Sequence, residues 1–381
     1  MDTSRKIAEI LFAIIFILLT VVMGYLSFVN LIKFYVNDEV DYNEWTADLG
    51  NKFETDEATT FYEKFQFVNL NGAIRNLIGQ KEMNGITKLN NGHLVKPQAR
   101  ISNDKIKARA KEVIKYADFC KENGKLVLFV QPILKIDKNN KQLPVGVEDY
   151  SNENIDIFLN YLRDANIDVL DIRDCMKVDG MDMYDYTYIT DHHWTTIGCF
   201  YSFVQITKWI ETKTGIKVNE KITDINNYEI KEYSKWHLGS YGQRCGVYFA
   251  GIDDYDLIIP SFDVSFIDEN GSTSSFYDQV VNTSVFENRN AKSRYTYDWA
   301  LRYPNGVAST SQKLSLLFVT DSYAAAMIPY LKLAYSDYYY LYYPSGFNAD
   351  YVLKSEPDIV VIMPFNTSTF SGGAVFNDKV Q

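Results

Sequence analysis

KLSLLFVTDSYAAAMIPYL, residues 313–331, opens as a short uninterrupted apolar run and closes as an alanine-rich one. A run of this length between polar residues is the pattern of a strand buried on both faces, as in a parallel sheet. Asp321 and Ser322 then mark a sharp turn, and the spacing beyond it predicts a helix limited by Pro329. Strand, turn with serine, helix is the arrangement that presents a nucleophile at a strand's carboxyl end. The same pattern extends N-terminally. Ile106, Ala110, Val113, Ala117 and Cys120 recur at spacings of three and four between Ser102 and Gly124, which predicts an amphipathic helix, and KLVLFVQP (Lys125–Pro132) predicts a buried strand. A helix carrying Ile155, Phe158, Leu159 and Leu162 leads into a strand at Ile167–Ile172. Thr195 or Thr196 caps a further helix with Ile197, Phe200, Tyr201 and Val204 on one face. On the other side, Tyr338–Tyr343 and Pro357–Pro364 read as strands. The alternation implies an α/β fold, a parallel sheet with helices on both faces. Between residues 213 and 313, approximately, polar stretches alternate with pieces such as VYFAGI, YDLIIP and DVSFI, read as a β-rich insertion.

Ligands in such sheets bind beyond the carboxyl ends of the strands. The loop Asp191–His193, the Ser322 turn and the loops at Gly346 and Asn366 all follow predicted strands on that edge. The chain has 4 histidines, and two are adjacent, His192 and His193. In Asp-x-His spacing the carboxylate folds back to take the Nδ1 proton, leaving Nε2 for a serine. Asp191 and His193 are therefore the expected orienting acid and general base, with His192 structural and Ser322 the nucleophile. A serine before a helix is otherwise an N-cap. Gly346 and Asn366 are candidate oxyanion donors, and Arg244 and Tyr323 candidate substrate contacts. A metal reading of Asp191, His192 and His193 needs further convergent ligands, and the pattern suggests none, so no metal or cofactor is expected.

The remaining composition is that of a folded, water-facing protein. Lys plus Arg number 38 against 49 Asp plus Glu, a formal net charge of -11, which argues against a nucleic-acid partner. Cys120, Cys175, Cys199 and Cys245 form no metal-binding spacing. The uncharged run Ile10–Ile32 is long enough to cross a bilayer and exceeds a cleavable leader. Arg5 and Lys6 before it, against Asp38, Glu39 and Asp41 beyond it, favour a cytoplasmic N-terminus and an extracytoplasmic remainder. The expected organisation is an anchor over 1–33, a stem and N-terminal cap over 34–100, and a catalytic domain over 101–381.

DHHWT (Asp191–Thr195) with TDSYAAAMIPYL (Thr320–Leu331) resembles the DHHW proteins related to AlgX/AlgJ-type alginate O-acetyltransferases, of the SGNH hydrolase superfamily. NGITKLNNGHL (Asn84–Leu94) and LGSYGQRCGVYFAGIDD (Leu238–Asp254) extend the likeness. The resemblance implies a circularly permuted, flavodoxin-like SGNH fold with Asp-x-His ahead of Ser. It maps Ser322, Gly346, Asn366 and the Asp191/His193 pair onto the four family blocks. TDSY departs from the usual GDS, and PFNTS (Pro364–Ser368) from GxND. The implied activity is O-acetylation of a cell-surface or exported polysaccharide through an acetyl-serine, with acetyl groups delivered by an MBOAT-type membrane acyltransferase. An acetylesterase with the same triad, or a non-catalytic polysaccharide-binding or assembly protein, are the alternatives.

Overall fold

The computed structural model describes residues 3–37, 63–139, 141–287, 300–370 and 373–377. It divides into two units, one reaching Ile74 and one beginning at Arg75. The expected stem lies largely outside the described residues. The first unit contains helix α1 (Thr3–Asn37), of which Glu9–Asn30 is long and apolar enough to cross a membrane. Phe12, Phe16, Leu18 and Val21 are exposed on it.

In the second unit, short strands Glu82–Met83, Ile86–Lys88 and Leu94–Val95 make a small antiparallel sheet. Then α2 (Asn103–Glu122), β1 (Leu126–Gln131), α3 (Ser151–Asp164) and β2 (Asp168–Asp171) follow as the periodicity predicts. Helix α4 (Thr196–Thr214) starts at an N-cap formed by Thr195, whose hydroxyl accepts the Gly198 N–H at 3.1 Å. The insertion holds an antiparallel pair, β3 (Tyr228–His237) and β4 (Asp253–Pro260), joined through α5 (Ser240–Cys245). A three-stranded antiparallel sheet of Ser265–Ile267, Thr273–Ser275 and Val307–Ala308 completes it. VYFAGI is not a strand: Val247–Ala250 is one helical turn between Gly246 and Gly251, both at positive φ, which close the chain too tightly for a strand.

The sheet is completed by β5 (Gln312–Thr320), α6 (Ile328–Ala334), β6 (Tyr335–Tyr342), α7 (Ala349–Ser355), β7 (Ile359–Met363) and α8 (Asn366–Thr369). Pro329 does not limit the alanine-rich helix. Residues Ser322–Met327 are a 3₁₀ turn, and Pro329 sits in the first turn of α6, where its missing N–H is no loss.

All five sheet strands run parallel, in the order β6-β5-β7-β1-β2. Counted from β5, that order is 2-1-3-4-5, the flavodoxin-like winding entered at its fourth strand. Strand side chains alternate between faces. Leu316 and Phe318 of β5 pack with Leu128 and Val130 against Cys199, Phe203 and Ile206 of α4. Leu317 and Val319 pack with Val127 and Phe129 against Val113 of α2 and Phe158 and Leu162 of α3. Both faces are covered, which is why β5, β7 and β1 read as unbroken apolar runs.

Candidate active site

The switch point of a 2-1-3-4-5 sheet lies between its first and third strands, here β5 and β7. Thr320, the last residue of β5, donates through Oγ1 to the Met363 carbonyl at 2.6 Å, tying the two strand ends together. Asp321 extends the tie, accepting the Tyr323 N–H at 3.0 Å on Oδ1 and the Phe365 N–H at 2.9 Å on Oδ2. Asp321, and not Ser322, is thus the residue that caps the 3₁₀ turn. That leaves the Ser322 hydroxyl for another partner, and the side chain is half-buried at the mouth of the sheet edge.

Its partner is His193, whose Nε2 lies 3.0 Å from Ser322 Oγ. On the other side of the ring, Nδ1 lies 2.6 Å from Asp191 Oδ1, which also accepts the His193 backbone N–H at 3.0 Å. An ionised carboxylate only accepts hydrogen bonds, so Nδ1 carries the proton and Nε2 is free to take one from Ser322. Burial pushes the Asp191 carboxyl upward, but His193, with His192 and His237 nearby, outweighs it and holds the group well below the usual carboxylate range. Asp191 is therefore ionised at neutral pH.

The second oxygen of Asp191 is occupied from the insertion: Ser240, at the start of α5, donates its N–H at 2.5 Å. Gly239 makes this approach possible, since a Cβ there would lie 2.2 Å from the Asp191 Cβ. His237, buried at the end of β3, puts Nε2 3.8 Å from the same oxygen. His192 Nδ1 meets Ser240 Oγ at 2.9 Å, and its ring lies 3.9 Å from that of His193. Burial and then the neighbouring His193 push His192 down to about 3, so it is neutral at pH 7. Asp191, His192 and His193 present ligand atoms within 4.8 Å of one another. A cation there would have to displace the hydrogen bonds that already hold both nitrogens of His193.

Of the other sequence candidates, Tyr323, Arg244 and the Gly346 amide are bonded elsewhere. Tyr323 is fully buried, its hydroxyl spent on the Ile133 carbonyl at 3.3 Å. It cannot touch substrate, and its ring instead backs His193 and stacks on Phe365, centroids 5.4 and 4.6 Å away. Arg244 closes α5 and turns to the hairpin at Asn84, donating to that residue's carbonyl at 2.8 Å while Asn84 Nδ2 donates back at 2.6 Å. Gly346 has φ 96° and its N–H donates to the Tyr343 carbonyl at 3.0 Å, so that amide is not available to an oxyanion. A Cβ there would meet the Val375 carbonyl at 2.9 Å, which accounts for the glycine. Asn366 opens α8 directly after β7, and its side chain lies outside what the structure describes. The residues that the sequence did not single out are Gly239 and Ser240, whose only signal was their place in the LGSYGQR stretch, and His237, which immediately precedes it.

Residues 91–233 match the family model described as the SGNH hydrolase-like domain of the acetyltransferase AlgX. The fold is similar to that of PatB1 from Bacillus cereus, with 19% identity, a TM-score of 0.60, and coverage of 75% of this chain and 97% of that one. The same protein with a sulfonyl adduct gives 19% identity, a TM-score of 0.58, and coverage of 75% and 96%. A DHHW family protein from Eubacterium siraeum is 15% identical, with a TM-score of 0.48 and coverage of 76% and 93%. Among curated proteins none matches the chain in sequence. The resemblance read from DHHWT is matched by that family model, which spans the Asp191–Thr195 segment.

Proposed function

We propose that the protein is an O-acetyltransferase acting on a cell-surface or exported polysaccharide through an acetyl-serine intermediate. The observation that carries this reading is the hydrogen-bonded chain Ser322–His193–Asp191 at the switch point of the sheet. Ser322 Oγ attacks the acetyl carbonyl carbon as His193 Nε2 takes its proton. The tetrahedral oxyanion faces the Ser322 N–H, the first amide of a 3₁₀ turn and so one without an intrahelical acceptor. The amides at the start of α8 are the second candidate donors. Collapse breaks the bond to the donor alcohol, which leaves with the proton from His193. A sugar hydroxyl then attacks the acetyl-serine, giving its proton to His193, and Ser322 Oγ departs and recovers it. Asp191 stays ionised and stabilises the imidazolium in both halves.

The AlgX acetyltransferase family model over residues 91–233 supports the same reaction class. The helix Glu9–Asn30 supports a single-pass anchor with the N-terminus in the cytoplasm and the SGNH-like unit outside. One helix cannot carry an acetyl group across a bilayer, so the donor side belongs to a multipass acyltransferase of the MBOAT type.

The test is covalent. The full chain in detergent, incubated with 4-nitrophenyl acetate and quenched, is expected to carry acetyl on Ser322, found by peptide mass spectrometry and lost in His193→Ala. Polysaccharide fragments that speed deacylation and become acetylated establish transfer, and release of acetate at a rate that the fragments leave unchanged establishes an esterase. Absence of acetyl on Ser322 would overturn the serine mechanism.

A further inference from the structure

Asp191 is preceded by three residues whose main chain is held by two buried charged side chains from separate elements. Lys135, on the loop after β1, donates through Nζ to the Tyr188 carbonyl. Asp253, at the start of β4, accepts the Ile189 N–H at 2.6 Å on Oδ1 and the Thr190 N–H at 2.8 Å on Oδ2. The Thr190 hydroxyl donates to the same Oδ2 at 2.5 Å and accepts the Gly239 N–H at 2.8 Å. Thr190 in turn offers its carbonyl to the Gly242 N–H at 2.8 Å.

One carboxylate therefore joins the segment before Asp191 to the segment that supplies the Ser240 amide to Asp191. Both charged groups are at most 6% exposed. Burying a carboxylate and an ammonium is costly unless their hydrogen bonds are met, and apolar side chains would fill the space at less expense. The hydrogen bonds that these charges make end on Tyr188, Ile189 and Thr190, the residues leading into Asp191. Asp191 has little freedom of its own, being bonded to His193 and Ser240, so a displacement at Thr190 is passed directly to the imidazole.

We propose that Asp253 is a positioning residue for the serine chemistry, setting the place of Asp191 through Thr190 and thereby the orientation of His193, with Lys135 holding the same segment from the sheet side. The proposal rests on the serine reading given above. It makes the insertion part of the active site, since β4 and α5 both hold the catalytic acid.

The experiment uses the full chain in detergent with ¹⁵N-labelled histidine. The wild type is expected to show a far-downfield Nδ1 proton from the His193–Asp191 hydrogen bond, absent in His193→Ala. Asp253→Asn places an amide N–H₂ against N–H donors, and Thr190→Val removes the hydroxyl at nearly constant volume. Both are expected to shift or abolish that resonance and to lower kcat for 4-nitrophenyl acetate at least about tenfold, with KM changed by less than about threefold. Thr190→Ser keeps the hydroxyl and should retain the resonance and kcat within about twofold. Wild-type resonance and kcat in both Asp253→Asn and Thr190→Val would overturn the proposal, as would a wild-type spectrum with no such proton. Should Asp253→Asn fail to fold, the contrast between Thr190→Val and Thr190→Ser decides. If no form turns over the ester, the serine reading fails, and the resonance alone judges the positioning.

Discussion

At the scale of single residues, the site depends on which atoms can donate. Asp191→Asn would present an N–H₂ to Nδ1 and favour the tautomer with the proton on Nε2, facing Ser322. Turnover of 4-nitrophenyl acetate should fall by about 10³–10⁴-fold while circular dichroism stays unchanged. His93 makes a different, thermodynamic prediction. Burial, and then the charge of Lys135, push it down to about 3 against a hydrogen bond to the Tyr188 backbone. A histidine with a depressed folded-state value is kept neutral in the fold, so below its unfolded value of about 6.5 the unfolded chain binds the extra proton. Its contribution to stability is complete above that pH and is lost as pH falls toward 3. His93→Gln should reduce the slope of unfolding free energy against pH, between roughly 6 and 4, by up to about 1.4 kcal/mol per pH unit. Urea titrations at a series of pH values check this. Asp191, His193 and Ser322, which the fold joins by hydrogen bonds, were legible as candidates because Asp-x-His spacing and a serine after an apolar run are local patterns. Tyr323 was misread because adjacency to the serine says nothing about which way a side chain turns. In the fold it turns into the core, where its hydroxyl meets Ile133.

Among the elements, helix caps and close approaches have separable consequences. Thr195 caps α4 and its hydroxyl bonds the Gly198 N–H instead of joining the Ser322–His193–Asp191 chain, so Thr195→Ala should cost about 1 kcal/mol in urea unfolding and leave kcat nearly unchanged. Gly239 is the opposite case. It has φ -70°, so an alanine is conformationally permitted there, yet its Cβ would overlap Asp191. Gly239→Ala should therefore destabilise by about 1–3 kcal/mol and also depress ester turnover, because the strain is relieved by moving Asp191. Equal turnover in the alanine variant would show that Asp191 tolerates displacement. The sequence located the sheet strands and α2, α3 and α4 well, since each has a strong period or an unbroken apolar run. It misjudged VYFAGI and the run after Ser322. Short apolar pieces carry no decisive period, and their flanking glycines and Pro329 act through backbone geometry that tertiary contacts select.

At the scale of the whole molecule, solvent and topology act on the chain together. If Glu9–Asn30 spans a bilayer, the full chain should remain with membranes through alkaline carbonate extraction. An arginine at its middle, Leu19→Arg, should weaken insertion by about 2.5–3.5 kcal/mol and release a measurable fraction. Retention of the wild type only as a carbonate-soluble protein would remove the anchor from the functional reading. The permuted winding has its own consequence: β5 and β7 adjoin, while the Asp191–His193 loop arrives from beyond β2 at the far edge. The insertion bridges that distance by bonding to Asp191 through Ser240.

The amino-acid sequence by itself determined the parallel α/β class, the strands of the sheet, the apolar N-terminal helix, and Asp191, His193 and Ser322 as chemically matched groups. These follow from local periodicity, from length, and from residue types that few other roles require. Only the tertiary structure decided that Asp321 and not Ser322 caps its turn, that Arg244, Tyr323 and the Gly346 amide are committed elsewhere, and that Gly239, Ser240 and Asp253 surround Asp191 and the residue before it. Those partners lie some fifty to sixty residues from Asp191 in the chain. No spacing rule reaches so far, because their meeting is set by how the insertion folds back on the sheet edge.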